Sequence, residues 1–169
     1  MRSKRKDYQG MKQDIKESSA EHGYTYKYPH PAVTVDCVVF GIDGTEIKVL
    51  LIERESEPYK GSWALPGGFM NIDETAEQCA RRELKEETDL NIEQLEQLHT
   101  FTDVNRDPRE RVISIAFWAV TRIADVRGGD DAVKAQWYAL DELPPLAFDH
   151  ERILRMGISA RQNRCPEYL

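Results

Sequence analysis

Residues 67–90 read GGFMNIDETAEQCARRELKEETDL, and the way this stretch folds decides how the rest of the chain is arranged. A Pro66-Gly67-Gly68 turn leads into a helical segment whose last turns carry Arg82, Glu83, Glu86 and Glu87. Positions i, i+3 and i+4 are neighbours on a helix, so the three glutamates form one patch. Ala76, Cys79, Ala80 and, at the margin, Leu84 fall on the same side, which puts the carboxylates on the face that turns toward the body of the protein. Like charges crowded there repel unless a cation compensates. A hard divalent ion with oxygen ligands is the economical answer. An ordinary surface helix accounts for Gln78, Arg81 and Lys85 but not for this patch. The helix is expected to begin near Asp73 or Glu74, with Asp73 as N-cap, and to run to Thr88, with Asp89 where a glycine stop is usual.

Outward from this stretch, the chain of 169 residues fits one domain with a sizeable core. Apolar residues make up 40% and mean hydropathy is -0.62, values of a soluble globular protein. A net charge of -7 argues against broad nucleic-acid binding, and no nucleic-acid partner is expected. The three cysteines, Cys37, Cys79 and Cys165, have no metal-ligand spacing and point to a reducing compartment. No apolar run is long enough for a membrane span, so no membrane partner and a cytoplasmic location are expected.

The leader, residues 1–30, begins with clustered Arg2, Lys4, Arg5, Lys6 and Lys12, read as a solvated arm. Alternating Tyr24, Tyr26 and Tyr28 suggest a short edge strand stopped by Pro29 and Pro31. Strands are expected at 32–40 and 46–53, forming a hairpin across Asp43-Gly44, and again from about 95, at 112–120 and at 135–140. Trp63 reads as a plug beneath a glycine-rich turn, 141–145 as a helical turn, and 149–156 as the start of a terminal helix capped by Asp149 with Ile153, Leu154 and Ile158 inward. This order makes an α/β fold, a mixed sheet with helices on its faces.

The central stretch resembles the signature of the Nudix hydrolases: glycine, five residues, glutamate, seven residues, then R-E-U-x-E-E-x-G-U with U aliphatic. Gly68, Glu74, Arg82, Glu83, Leu84, Glu86, Glu87 and Leu90 stand at the required positions, and Asp89 replaces the glycine. PGGF at 66–69, RDPRERVISIAFWAV at 106–120 and LPPLAFDHERIL at 143–154 are similar to the ADP-ribose pyrophosphatase subgroup. The resemblance implies an α/β/α sandwich with a central mixed sheet, a Nudix hydrolase domain over 31–158 and a C-terminal tail over 159–169. It also implies Mg²⁺-dependent, or Mn²⁺-dependent, cleavage of a small-molecule nucleotide by a pyrophosphohydrolase. The favoured substrate is ADP-ribose, giving AMP and ribose 5-phosphate. The alternatives are a nucleoside triphosphate or another sugar nucleotide, or a noncatalytic nucleotide sensor. The last is disfavoured because the motif carboxylates are intact and little chain follows for a DNA-binding domain.

By the same resemblance Glu83, Glu86 and Glu87 are the metal ligands. Glu74 supports the loop, Arg82 ion-pairs within the motif, and Gly67 and Gly68 bring backbone close to the metal or diphosphate. The base that deprotonates water is a motif glutamate, Glu110 or Asp130. Arg54, Arg106, Arg109 and Arg111 are candidate phosphate clamps, with an ordinary surface position the competing reading for each. Tyr59, Phe69 and Phe101 are candidates to stack on adenine, with a core position as the alternative. His150 reads as a cap or packing residue. Related pyrophosphatases are commonly homodimers, so a homodimer is expected.

Overall fold

The structure, a computed structural model, describes residues 24–129 and 132–164. The basic leader segment, His22, Asp130 and Cys165 lie outside the described residues, as do the readings made of them. Residues 24–30 belong to a different compact unit from residues 31–164 and form no strand, contrary to the alternation of Tyr24, Tyr26 and Tyr28. All three rings are exposed, and Tyr26 packs on His30 rather than along a strand face, with ring centroids 3.9 Å apart.

The second unit is built on six strands, β1 (Ala32–Asp43), β2 (Glu46–Arg54), β3 (Trp63–Ala64), β4 (Glu96–Phe101), β5 (Val112–Arg122) and β6 (Ala132–Ala139), with two helices, α1 (Ala76–Thr88) and α2 (His150–Arg164). The sheet order is β3-β2-β1-β5-β4, with β6 also paired to β2. β1 runs parallel to β5 over its length, from Ala32 opposite Val112 to Ile42 opposite Arg122, and the remaining pairs are antiparallel. A parallel pair is stable where both its faces are covered, and β1 satisfies this by burying both of its side-chain sets. Val35, Cys37 and Val39 pack with Cys79, Ala80 and Leu84 of α1. Val38 and Phe40 pack with Ile153 and Leu154 of α2, and Ile158 packs at the edge of that cluster. The result is a mixed sheet between helices, an α/β/α sandwich. Each fully buried Leu or Phe contributes about 1.5–3 kcal/mol, so the two sides of the sheet are independently anchored.

The hairpin pairing of β1 with β2 ends at Phe40 opposite Val49. The first half of β1 is therefore open along that edge, and residues 66–70 fill it. Val35 N–H donates to Gly68 O at 2.9 Å, Cys37 N–H to Pro66 O at 2.8 Å, and Met70 N–H to Val33 O at 3.0 Å. The glycine turn is thus laid on the central strand before α1 begins.

Several local expectations change. Thr75, not Asp73, caps α1: its side chain accepts from the Gln78 N–H, and Gln78 Oε1 accepts from the Thr75 N–H, a complete capping box. Residues 141–145 form no helix: a single turn closes from Glu142 N–H to Ala139 O at 3.1 Å, and Pro144 and Pro145 follow at once. The terminal helix continues past Ser159 to Arg164. Phe101 is in the core, 2% exposed, and Trp63 packs edge-on to Tyr138 at 4.8 Å beside the same cluster.

α1 ends on Asp89 in the left-handed region, φ 62° and ψ 8°, with its N–H donating to Lys85 O and its carboxylate paired with Lys85. Glycine adopts this conformation without penalty, Asp with little, and Ala with more. Asp89→Ala should therefore lower the thermal midpoint on the order of 2–5 °C relative to Asp89→Gly. A scan in which both variants melt together would contradict this.

Candidate functional site

The turn, α1 and the start of α2 meet at a cleft of about 320 Å³ whose wall includes Asp36, Gly67, Gly68, Arg82, Glu83 and Glu87. Gly67 has φ 154°, and a Cβ there would overlap the carbonyl oxygen of Val35. No side chain fits, so Gly67→Ala should cost several kcal/mol, in the range reserved for backbone strain and overpacking. Loss of a cooperative unfolding transition or a midpoint far below the parent checks this. The Gly67 N–H donates to Glu87 Oε2 at 2.8 Å, tying the turn to the helix. The space a Cβ would take at Gly68 is occupied by the Glu83 carboxylate.

Arg82 holds the rest together. Its Nε and Nη2 donate to the two oxygens of Glu74 at 3.0 and 2.7 Å, and Nη1 donates to Glu83 Oε1 at 2.8 Å and Glu86 Oε2 at 2.9 Å. Nη2 also reaches Phe69 O at 3.2 Å. Glu74 in turn accepts from the Asn71 N–H at 2.7 Å. The Arg82 guanidinium and that N–H hold the Glu74 carboxyl down to about 2. Burial raises the Glu83 carboxyl above its ordinary value against the pull of Arg82. Glu87, 5% exposed, is pushed up to about 8 by burial, with Glu83 and Asp36 adding to the rise and the Gly67 N–H opposing it. Glu83 and Glu87 line the cleft, whereas Glu86 and Glu74 stand behind them on Arg82.

Among the described residues no three His, Cys, Asp or Glu side chains already converge as a metal-holding group. The donor set nonetheless suits a hard cation. Two carboxyls lining one cleft, Glu87 buried and Glu83 partly so, each raised by burial and by the other acids near it, are stabilised as anions by a divalent ion, which inverts the local preference for the neutral form.

The cleft floor contains a polar group that sequence reasoning missed. Asp36, 6% exposed, accepts from the Ser114 hydroxyl and from Arg106 Nη2 at 3.4 Å, and His150 Nε2 lies 3.3 Å from its Oδ1. Its signal was a lone acid in the apolar run AVTVDCVVF, as Ser114 was the lone hydroxyl in VISIAFWAV. Arg106 spends its fork on Asp149, Nη2 to Oδ1 at 2.6 Å and Nε to Oδ2 at 3.0 Å, so it braces α2 against the floor.

His150 Nδ1 accepts from the Leu65 N–H at 2.9 Å, so a neutral ring carries its proton on Nε2, 3.3 Å from Asp36 Oδ1. With both nitrogens engaged, His150 is a brace for the strand entering the glycine turn. Burial lowers its pKa, with Arg106 and Arg54 adding to the fall and Asp36 and Asp149 opposing it. A histidine lowered on folding binds its proton more readily when unfolded. Its stabilisation is therefore full above the ordinary value of 6.5 and is lost as pH falls below it. His150→Gln should flatten the stability profile between pH 6.5 and 5, measured by denaturant unfolding; an unchanged slope would count against this reading.

The remaining candidates separate clearly. Arg54, Phe69 and Arg109 line the cleft. Tyr59 is outside its wall but packs edge-on to Phe148 at 4.8 Å, and Phe148 is a lining residue that the sequence did not single out. Arg111 is turned away, bonded to the carbonyls of Thr102, Asp103 and Val112. Glu110 is exposed and outside the wall.

The NUDIX domain profile matches residues 30–156. An ADP-ribose pyrophosphatase of Methanocaldococcus jannaschii is 45% identical over 128 residues, 76% of this chain and 73% of that protein. The ADPR responsive transcriptional repressor NtrR of Acinetobacter baylyi is 32% identical over 142 residues, 81% of this chain; the chain spans only 57% of the repressor's length. The NUDIX domain of Shewanella oneidensis NrtR, solved in complex with ADP ribose, superimposes with a TM-score of 0.76 at 30% identity, covering 85% of this chain and 97% of that one.

These relatives correct one expectation. The Shewanella oneidensis NrtR protein has also been solved with a 27mer DNA, at a TM-score of 0.65 and 28% identity over 78% of this chain and 63% of that one. The net charge of -7 therefore does not exclude a nucleic-acid partner, because a whole-chain sum says nothing about where the basic groups lie.

Proposed function

The chain belongs to the Nudix family of pyrophosphohydrolases, and from that premise we propose that it hydrolyses ADP-ribose in a Mg²⁺-dependent reaction, with Mn²⁺ able to substitute, releasing AMP and ribose 5-phosphate. The observation that carries the substrate is the 45% identity to an ADP-ribose pyrophosphatase across 76% of this chain. The cleft is consistent with it, since acidic groups for a cation-bridged diphosphate and aromatic groups for a base line one space.

Glu83 and Glu87 are the cleft-lining carboxylates that would hold the ion, with Glu86 joining from the Arg82 cluster. When bound, the ion supplies charge neutralisation of the diphosphate and acidifies a water. Arg82 keeps the glutamates oriented through its bonds to Glu74, Glu83 and Glu86. Gly67 and Gly68 let the turn close on the Val35 carbonyl and the Glu83 carboxylate, where any side chain would intrude, and so hold Glu83 at the cleft wall. Arg54 is in the cleft wall near Glu87 with Nε and Nη2 donating to Pro58 O and Ser56 O at 3.0 and 3.4 Å, so what it would bring to a phosphate is its positive charge.

A second reading, an ADP-ribose sensor, is favoured by the likeness to the NUDIX domain of NrtR complexed with ADP ribose. One assay separates the two. ADP-ribose, sugar nucleotides, dinucleotides and nucleoside triphosphates are incubated with the protein and Mg²⁺, and products are resolved by chromatography. ADP-ribose is expected to turn over fastest; binding of ADP-ribose without turnover of any member would leave the sensor reading and remove the hydrolytic one.

A further inference from the structure

We propose that His150 is a positioning residue for the metal site: its Nδ1 fixes the backbone from Leu65 to Gly67, and that backbone fixes the Glu87 carboxylate. The inference rests on the reading of Glu87 as a ligand of the divalent ion and names what holds this ligand from behind.

The link is short, and each part of it is tied. The Leu65 N–H donates to His150 Nδ1 at 2.9 Å, and two residues later the Gly67 N–H donates to Glu87 Oε2 at 2.8 Å. Three features between these bonds keep a shift at one end from being absorbed before it reaches the other. The Leu65 side chain is packed in the core at 1% exposure. The Pro66 ring locks its own φ, and the Pro66 carbonyl accepts from the Cys37 N–H at 2.8 Å. Gly67 lies so close to β1 that a Cβ would stand 2.1 Å from Val35 O. Glu87 is itself buried, so the amide it meets decides where its charge is presented. Groups that hydrogen-bond a ligand from behind set its orientation and with it the metal affinity.

At the other end His150 is held independently of the turn. Its N–H donates to Ala147 O at 3.2 Å, and its Nε2 stands 3.3 Å from Asp36 Oδ1. Asp36 accepts from Arg106, whose fork also bonds Asp149, the neighbour of His150. The Ala147 N–H donates to Trp63 O at 2.8 Å, which sets the same segment alongside β3. Residues 147–150 are therefore docked by two bonds on the strand that feeds the turn, and the bond to Leu65 is the nearer of them to Glu87. A cap or packing role explains why His150 is buried. It does not explain an acceptor nitrogen aimed at a backbone N–H 85 positions away.

Two amide substitutions separate the ring nitrogens. His150→Asn places an oxygen near the position of Nδ1, within reach of the Leu65 N–H, whereas His150→Gln places its amide near the position of Nε2, beside Asp36. Mn²⁺ is titrated calorimetrically into the nucleotide-free protein, and amide exchange is read by NMR on the same samples, so neither measurement requires turnover. His150→Leu and His150→Gln should each weaken Mn²⁺ about 10- to 100-fold and speed exchange at the Gly67 amide. His150→Asn should recover most of both. His150→Gln, which stays polar, carries the test if His150→Leu does not fold. A merely structural role would lower the thermal midpoint and leave the Mn²⁺ affinity of the folded protein unchanged. Parental Mn²⁺ affinity in the Leu and Gln variants, or a Gly67 amide as protected as in the parent, would overturn the proposal. If the parent itself binds no Mn²⁺, the metal reading of Glu87 falls and takes this proposal with it, an outcome distinct from equal binding by parent and variants.

Discussion

Glu87→Gln is expected to reduce turnover of ADP-ribose about 10³-fold, the order that several kcal/mol of lost charge stabilisation implies. The same substitution should leave the metal-free protein as stable as the parent, or more so. Glu87 is buried at 5% exposure and its carboxyl is pushed up to about 8, so its charged form is unfavourable where it sits. A glutamine has the same shape and keeps an oxygen for the Gly67 N–H, yet carries no charge to desolvate. Activity and stability should therefore move apart, as expected where a site holds strain for function. Mg²⁺ should raise the thermal midpoint of the parent by binding the folded state and raise that of the variant less. Initial rates and paired melts with and without Mg²⁺ provide the measurement. Near-normal turnover by the variant would remove Glu87 from the ligand set.

Arg82→Ala is expected to be the most destabilising change on the α1 surface. It removes the partner of three carboxylates at once, with side-chain exposures of 12% for Glu74, 13% for Glu83 and 40% for Glu86. Breaking a buried pair costs about 3–5 kcal/mol, and the 29% exposure of Arg82 places this case near the lower figure. For a chain of this length that corresponds to a midpoint lower by roughly 6–12 °C. Mg²⁺ should recover more stability in this variant than in the parent, because a divalent ion offsets the same uncompensated charge. Arg82→Lys should recover little, since an ammonium cannot match the two-pronged contact with Glu74. A variant that melts like the parent, or whose melt ignores Mg²⁺, would show that the cluster is an ordinary exposed network.

The sequence made the motif helix legible because its information is local. The crowding of Glu83, Glu86 and Glu87 and the unusual stop at Asp89 follow from spacings within two turns, while the role of Arg82 came from the family resemblance. The helix start was misassigned although its signal was present, since Thr75 and Gln78 have the capping-box spacing and Asp73 competes only two residues away. The cleft floor was not legible in this way. Asp36 meets Ser114 across 78 positions, Leu65 meets His150 across 85, and Arg106 meets Asp149 across 43. No periodicity connects such pairs; only the parallel register of β1 and β5 and the docking of α2 do. The arginines make the same point. Arg106, Arg109 and Arg111 are equivalent in sequence, yet one braces Asp149, one bonds Asp107 beside an aromatic ring and one caps loop carbonyls. Which acceptor comes within reach is decided by tertiary packing.

The way residues 66–70 lie on β1 gives the site its own spectroscopic reporter. The amides of Val35 and Cys37 sit in the middle of the sheet but donate to Gly68 O and Pro66 O rather than to a strand. Their solvent-exchange rates are therefore expected to follow opening of the glycine turn, while amides that bond across to β5 should follow opening of the sheet. A ligand that clamps the turn should slow exchange at these two amides selectively, leaving their sheet-bonded neighbours on the global unfolding limit. Two backbone amides can therefore report occupancy of the site without turnover.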